Sequence, residues 1–172
     1  MPESLNGLIP AEIDANLAAL AQHPEAAHAP KHARVRWMNG LKAKVFVQNQ
    51  TFIVDEAPSP DEEPEAPNAM EYVLGAFGGC LVTGFVFNAT RQGLRVRNLE
   101  VTLESNQDNI LTFLGLSSDG HPGFCDIRAK LYVQADASED DLRQVWEHTV
   151  HTSPVFNSLT RPVNVTTEIA IL

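Results

Sequence analysis

The sequence predicts an α+β domain built on antiparallel strands, and three observations predict it. Stretches of apolar–polar alternation occur before, after and at the end of a long uncharged segment, Tyr72–Ala89. That segment is apolar all round and punctuated by glycine, as in a helix buried within a core. A second helical pattern, with a capping serine and an apolar stripe, follows the clearest strand.

The chain of 172 residues suffices for one domain with its own core, and no internal repeat argues for more. A formal net charge of −10 leaves too few cations to track a phosphate backbone, so neither nucleic acid nor an anionic membrane is expected as a partner. The first residues lack the basic region and apolar run of a secretory signal, and two cysteines make no disulfide framework. A reducing cytoplasm is therefore the expected location.

Residues 10–22 place Ile13, Leu17 and Leu20 on one helical face behind Pro10, and His23-Pro24 ends that helix. Residues 1–30 are expected to be an N-terminal helical addition to a domain spanning 31–172. From His32 the period becomes two: Ala33, Val35 and Trp37 are opposed by Arg34 and Arg36. Asn39-Gly40 marks a hairpin turn, Ala43, Val45 and Val47 the returning strand, and Phe52–Val54 a third strand after a polar turn.

Residues 55–67 hold six acidic residues and four prolines, with no aliphatic side chain larger than alanine, which predicts an extended, mobile connection. Asn68 and Glu71 then fit an N-cap and its capping-box acid, and Gly93 fits the end of the long helix. The segment is long enough to span a membrane, yet it carries Gly75, Gly78, Gly79, Gly84, Thr83 and Asn88 without basic flanks, so a buried helix is expected instead. Burial on all sides needs more cover than one small sheet provides, which anticipates a second chain.

Val96, Leu99, Val101 and Leu103 mark the next strand, and residues 110–116 a further strand or an irregular excursion. Residues 118–123 are turn chemistry. In the strand that follows, Cys125, Ile127, Ala129, Leu131 and Val133 share one face, which predicts that Cys125 faces the core. Ser138 caps a helix with Leu142, Val145, Trp146 and Thr149 on its inner stripe. Ser153 and Pro154 start a short helix, and residues 163–171 alternate as a last strand.

Cys80 stands out chemically, because an alanine would pack equally well in its glycine-rich surroundings. Three roles compete for it: a reactive redox thiol, a vestigial thiol in a binding pocket, or a packing residue. Cys125 reads as a small core hydrophobe, with resolution of an oxidised Cys80 as the alternative. His148 and His151 lie three residues apart without a third ligand at metal spacing and read as surface residues. No metal or cofactor is expected.

The element order, together with Ala66-Pro-Asn-Ala-Met-Glu-Tyr-Val-Leu-Gly-Ala-Phe-Gly-Gly-Cys80 and Gly93-Leu-Arg-Val-Arg-Asn-Leu-Glu-Val101, resembles the OsmC/Ohr family of thiol-dependent hydroperoxide-resistance proteins over roughly residues 32–171. The resemblance implies antiparallel sheets around a buried central helix in an intertwined homodimer. It also implies a two-cysteine peroxidase cycle in which Cys80 attacks an organic hydroperoxide. Where the family places its resolving cysteine, before a proline, this chain has Ser153. The arginine that the family sets against the thiolate has no counterpart at the first hairpin tip, where Lys42 stands with Arg36 and Arg34 behind it. Glu71, nine residues before Cys80, matches the carboxylate that holds that arginine.

Two functions follow as expectations. One is a one-cysteine reduction of apolar hydroperoxides at Cys80, with Glu71 and Arg36 assisting, Phe77, Leu81 and Phe85 as apolar neighbours, Ser153 in the pocket and an external thiol as reductant. The other is a dimer of the same fold that binds a small apolar ligand without turnover. A purely structural dimer is a third.

Overall fold

The computed structural model describes residues 3–59 and 61–171, which divide into two compact units. One comprises Ile9–Ala76, the other Ser4–Leu8 together with Phe77–Leu172.

In the first unit, helix α1 (Pro10–Leu20) begins with proline at its first turn and buries no residue. A short 3-10 turn follows at Pro24–His28. Strands β1 (Arg34–Asn39), β2 (Lys42–Val47) and β3 (Gln50–Val54) then form an antiparallel meander in that order. The turns fall where the sequence places them, with Gly40 at φ 55° supplying the left-handed residue of the first. Burial does not follow the alternation in β1: Val35 and Trp37 are 61% and 70% exposed. The indole N–H of Trp37 donates to Gly40 O at 2.9 Å, and Arg34 lies 4.1 Å over the Phe46 ring, so β1 is held through the hairpin and not by a core.

The acidic connection is more closed than its composition suggests. Asp55, only 4% exposed, accepts the Glu65 amide at 2.9 Å, and its own N–H donates to Pro67 O at 3.3 Å. Lys42 Nζ lies 2.7 Å from Glu65 and 3.8 Å from Asp55, and the Glu65 hydrogen bond is the main reason its ammonium pKa is raised. Local ion pairing thus supplies the ordering that apolar burial does not.

Helix α2 (Ala69–Arg91) starts in the first unit and continues through the second. Its capping box forms as expected: Glu71 N–H donates to Asn68 Oδ1 at 2.9 Å, and Asn68 N–H to Glu71 Oε2 at 2.8 Å. Gly93, at φ 73°, ends it, and Leu94 N–H reaches back to Ala89 O. In the first unit, Tyr72 stacks on Phe52 with ring centroids 4.8 Å apart and donates its hydroxyl to Ile53 O, fixing the helix start to β3.

The second unit pairs β4 (Arg95–Gln107) with β5 (Phe124–Asp136) and adds α3 (Ile110–Phe113), α4 (Glu139–Thr152) and α5 (Pro154–Thr160). A register shift between Val96 and Asn98 explains why the apolar side of β4 steps from Val96 to Leu99. Phe85 and Ala89 of α2 and Val145 of α4 are fully buried, ringed by Leu94, Val96, Leu99, Leu131, Val133, Leu142 and Trp146. The helix glycines sort by surroundings. A Cβ at Gly78 would lie 2.6 Å from Leu103 Cδ1 and one at Gly84 3.1 Å from Thr149 Cγ2, whereas Gly75 and Gly79 meet nothing.

Three expectations are corrected, and a fourth is decided between its two alternatives. Within one chain α2 is not buried all round: Phe77, Gly78, Leu81, Phe85, Asn88 and Ala89 are buried, while Gly75, Ala76, Gly79 and Thr83 are exposed. A two-stranded sheet and α4 cover only one stripe of a cylinder. The last strand does not form. Residues 162–171 carry no secondary structure, and Val163, Val165, Ile169 and Ile171 are 62–89% exposed, because a strand requires a ladder partner and none pairs with it among the described residues. Of the two readings of residues 110–116 the irregular one holds, as a single helical turn started by Asn109 accepting Leu111 N–H. Cys125 keeps to the same side of β5 as Ile127 but is exposed, because it lies at the strand's end, beyond the core around Phe85.

Removing the side chain at the centre of this core, Phe85→Ala, is expected to cost about 3–5 kcal/mol, read as a lowered urea midpoint. A weaker effect marks the sheet edge, where Arg97 Nε and Asp136 Oδ1 lie 2.7 Å apart. The Arg97 hydrogen bond holds the Asp136 carboxyl below 3.8, so the pair stabilises above that value and its contribution disappears as pH falls through the lowered one. Arg97→Gln should therefore return the Asp136 titration, followed by NMR, towards 3.8 and flatten the acid limb of stability.

Candidate functional site around Cys80

Cys80 lies in the middle of α2, half-buried, within the second unit. Its Sγ is 3.2 Å from the hydroxyl of Ser153, 73 residues away in sequence. Local structure fixes Ser153 at this point. It ends α4, caps α5 by accepting Phe156 N–H at 3.2 Å, and is 4% exposed. Asn157 clamps the same corner, donating its side-chain amide to His151 O and Ser153 O, both at 2.9 Å. The reason for a serine here is legible in the sequence, because Ser-Pro is a strong helix start. Its proximity to Cys80 is not.

The hydroxyl is well employed chemically. It accepts the Phe156 amide through one lone pair, and with Cys80 as a thiol either the hydroxyl or the sulfur can donate in the bond between them. A thiolate only accepts, so once Cys80 ionises the Ser153 bond becomes charge-assisted.

Both residues line a cavity of about 840 Å³, with Val82, Val86, Phe87 and Leu8 supplying apolar wall, Arg91 a cationic group and His148 an imidazole. Within its lining, Asn88 donates to Thr149 Oγ1 at 3.1 Å, a buried bond that ties α2 to α4. Thr83 turns its hydroxyl back to Gly79 O at 2.9 Å.

Of the other residues expected at the site, those in the second unit are distributed. Phe77 and Leu81 are buried and line a different cavity, of about 600 Å³, together with Cys125, Ile127, Trp146 and Phe156. The Phe77 and Phe156 rings lie 6.3 Å apart at its wall. Phe85 is sealed in the core. Glu71 is engaged in the capping box, and Arg36 sits exposed on β1 opposite Lys44. Cys125 donates towards Asn106 O and Asp126 Oδ2, both at 3.4 Å, and not to Cys80. Partial desolvation at the cavity mouth, and then the Asp126 carboxylate, push its thiol pKa up, which favours the unreactive protonated form. Asn6, Leu8 and Arg91 were not singled out from sequence. Asn6-Gly7 is a turn dipeptide that marks the first of these.

With this geometry established, the sequence profile of OsmC-like protein matches residues 60–168. The chain belongs to the OsmC-like family. Solved structures agree at the level of fold. An OsmC-like protein from Mycoplasma pneumoniae superposes with a TM-score of 0.64 at 12% identity, covering 76% of this chain and 87% of the other. An OsmC-like protein of unknown function from Vibrio cholerae gives 0.63 at 12% identity, covering 77% and 95%. An organic hydroperoxide resistance protein from Legionella pneumophila gives 0.55 at 12% identity, covering 77% and 90%. No functionally curated protein matches the sequence. In this OsmC-like chain, α2 meets the length and hydropathy of a membrane span, but its buried stripe and its internal Asn88–Thr149 bond make it a core helix.

Ser153→Ala removes an N-cap, which costs about 1 kcal/mol in comparable helices, whereas Ser153→Gly costs only a few tenths through the cap. Both delete the bond to Cys80. Alanine is therefore expected to lower the urea midpoint more than glycine, while the two variants change Cys80 reactivity alike.

Proposed function

We propose that this OsmC-like protein is a thiol-dependent reductant of apolar organic hydroperoxides that works through Cys80 alone, with an external thiol completing the cycle. The observation that carries this reading is the Cys80–Ser153 contact of 3.2 Å inside a largely apolar cavity. An organic hydroperoxide resistance protein among the solved structures of the same fold supports it.

The chemistry balances with the residues present. Cys80 thiolate attacks the outer oxygen of ROOH, an S–O bond forms, the O–O bond breaks, and the sulfur is oxidised by two electrons. The alkoxide takes up a proton and leaves as ROH. The sulfenic acid condenses with a first external thiol, releasing water, and a second external thiol frees Cys80 as the external disulfide departs. Ser153 donates to the thiolate and holds it in place, but a hydroxyl forms no disulfide. Cys125 is not positioned as its replacement, having its hydrogen bonds elsewhere and a raised thiol pKa.

The functional unit in this proposal is a homodimer. The exposed Gly75, Gly79 and Thr83 stripe of α2 and the exposed apolar residues Val163, Val165, Ile169 and Ile171 lack cover among the described residues, and a second copy would supply it. Size-exclusion chromatography with light scattering should give twice the 18.8 kDa chain mass.

The test of activity is dimedone trapping of Cys80 sulfenic acid after one equivalent of n-pentyl hydroperoxide, with hydrogen peroxide and Cys80→Ser as comparisons. Rapid trapping that favours the organic peroxide is expected, and Ser153→Ala should slow it about tenfold, the value of one charge-assisted hydrogen bond. Ser153→Cys should instead yield an intramolecular disulfide with Cys80 on oxidation. Oxidation no faster than that of an ordinary buried thiol overturns the peroxidase reading and leaves an apolar-ligand site.

A further inference from the structure

The segment Ser4–Leu8 lies outside the matched family region, residues 60–168, yet it belongs to the same compact unit as Cys80. It is a built element. Leu5 N–H donates to Leu8 O at 2.8 Å and Leu8 N–H to Leu5 O at 2.9 Å, closing a two-residue turn. Asn6 and Gly7 occupy that turn at φ 54° and 78°, the pattern that Asn-Gly adopts most readily. The turn directs the Asn6 amide into the end of α2. Asn6 Nδ2 donates to Thr90 Oγ1 at 3.0 Å and to Leu94 O at 2.8 Å, and its Oδ1 accepts Val96 N–H at 2.8 Å. Thr90 is 1% exposed, so this clasp is locked into a buried corner where α2 passes into β4. With the clasp fixed, Asn6 and Leu8 form one side of the cavity that holds Cys80.

We propose that the Leu5–Leu8 clasp determines specificity at Cys80: Leu8 narrows the cavity and sets how bulky an apolar group can approach the sulfur. The clasp therefore selects unbranched alkyl hydroperoxides over tertiary and aryl ones, a selection that rests on the peroxidase reading. The narrowing itself does not rest on it. Leu8 and Phe87 both line the cavity with apolar surface, while Asn6, also in its lining, keeps the turn in register through its bonds to Thr90, Leu94 and Val96. Leu8 is a specificity residue and Asn6 a positioning residue. Neither takes part in the sulfur chemistry.

The experiment measures two reactions of Cys80 in wild type, Leu8→Ala and Asn6→Ala, each read at the Cys80 peptide by mass spectrometry. The first is alkylation by iodoacetamide and by the bulkier N-phenylmaleimide, with Cys125 in its separate cavity as an internal control. The second is sulfenic acid formation with ethyl hydroperoxide and cumene hydroperoxide. Opening the wall with Leu8→Ala should raise the ratio of bulky to small reagent about fivefold or more in both reactions, consistent with the modest discrimination of hydrophobic pockets. Asn6→Ala should shift it the same way, and the ratio at Cys125 should stay constant. An unchanged alkylation ratio at Cys80 in both variants overturns the proposal. If wild-type Cys80 is inert to both peroxides, the peroxidase reading fails and the alkylation arm still decides the role of the clasp.

Discussion

The packing of the second half of α2 against β4, β5 and α4 is the constraint on which the site depends. Phe85, Ala89 and Val145 are fully buried at that contact. Gly78 and Gly84 allow the approach, since side chains at either position would meet Leu103 or Thr149. Because core side chains interlock at near-crystalline density, the rotation of α2 about its axis is fixed. That rotation carries Cys80 to the α4–α5 corner and leaves Phe77 and Leu81 facing another cavity.

The corner at Ser153 shows how one residue serves both architecture and chemistry. As an N-cap it satisfies an amide that α5 cannot satisfy itself, and as a hydroxyl it hydrogen-bonds to sulfur. The capping requirement alone accounts for serine at this position. A cysteine there would cap poorly, so serine gives α5 a well-formed start and Cys80 a hydrogen-bonded neighbour. The two thiols of the chain differ in the same spirit. Cys80 shares a hydrogen bond with the Ser153 hydroxyl, whereas desolvation and then the Asp126 carboxylate favour the protonated form of Cys125.

Charge also orders parts of the molecule that apolar burial does not reach. Lys42 draws Glu65 and Asp55 together and shapes the acidic connection despite its lack of aliphatic side chains. Asn6 does the equivalent with neutral hydrogen bonds, fastening a short turn to the end of α2. Both are examples of polar groups supplying tertiary order at the margins of a small core.

The sequence by itself determined the elements with local causes. The Asn39-Gly40 turn, the Asn68–Glu71 capping box, the Gly93 stop, the Ser138 cap and the Ser153-Pro154 helix start all depend on residues within a few positions of one another. The family resemblance was equally legible, because the segment ending at Cys80 keeps its order of small and apolar residues. What only the tertiary structure decided was non-local. Helical periodicity does not say which stripe of α2 a sheet covers, so the separation of Cys80 from Phe77 and Leu81 required the packing itself. Alternation gives residues 163–171 a strand pattern but no ladder partner, and it gives Cys125 a side of β5 but not the end of the core. The 73-residue separation of Cys80 and Ser153, and the 90-residue separation of Asn6 and Val96, are closed by the core that holds α2, because a local pattern fixes the conformation of a segment and only packing fixes its neighbours.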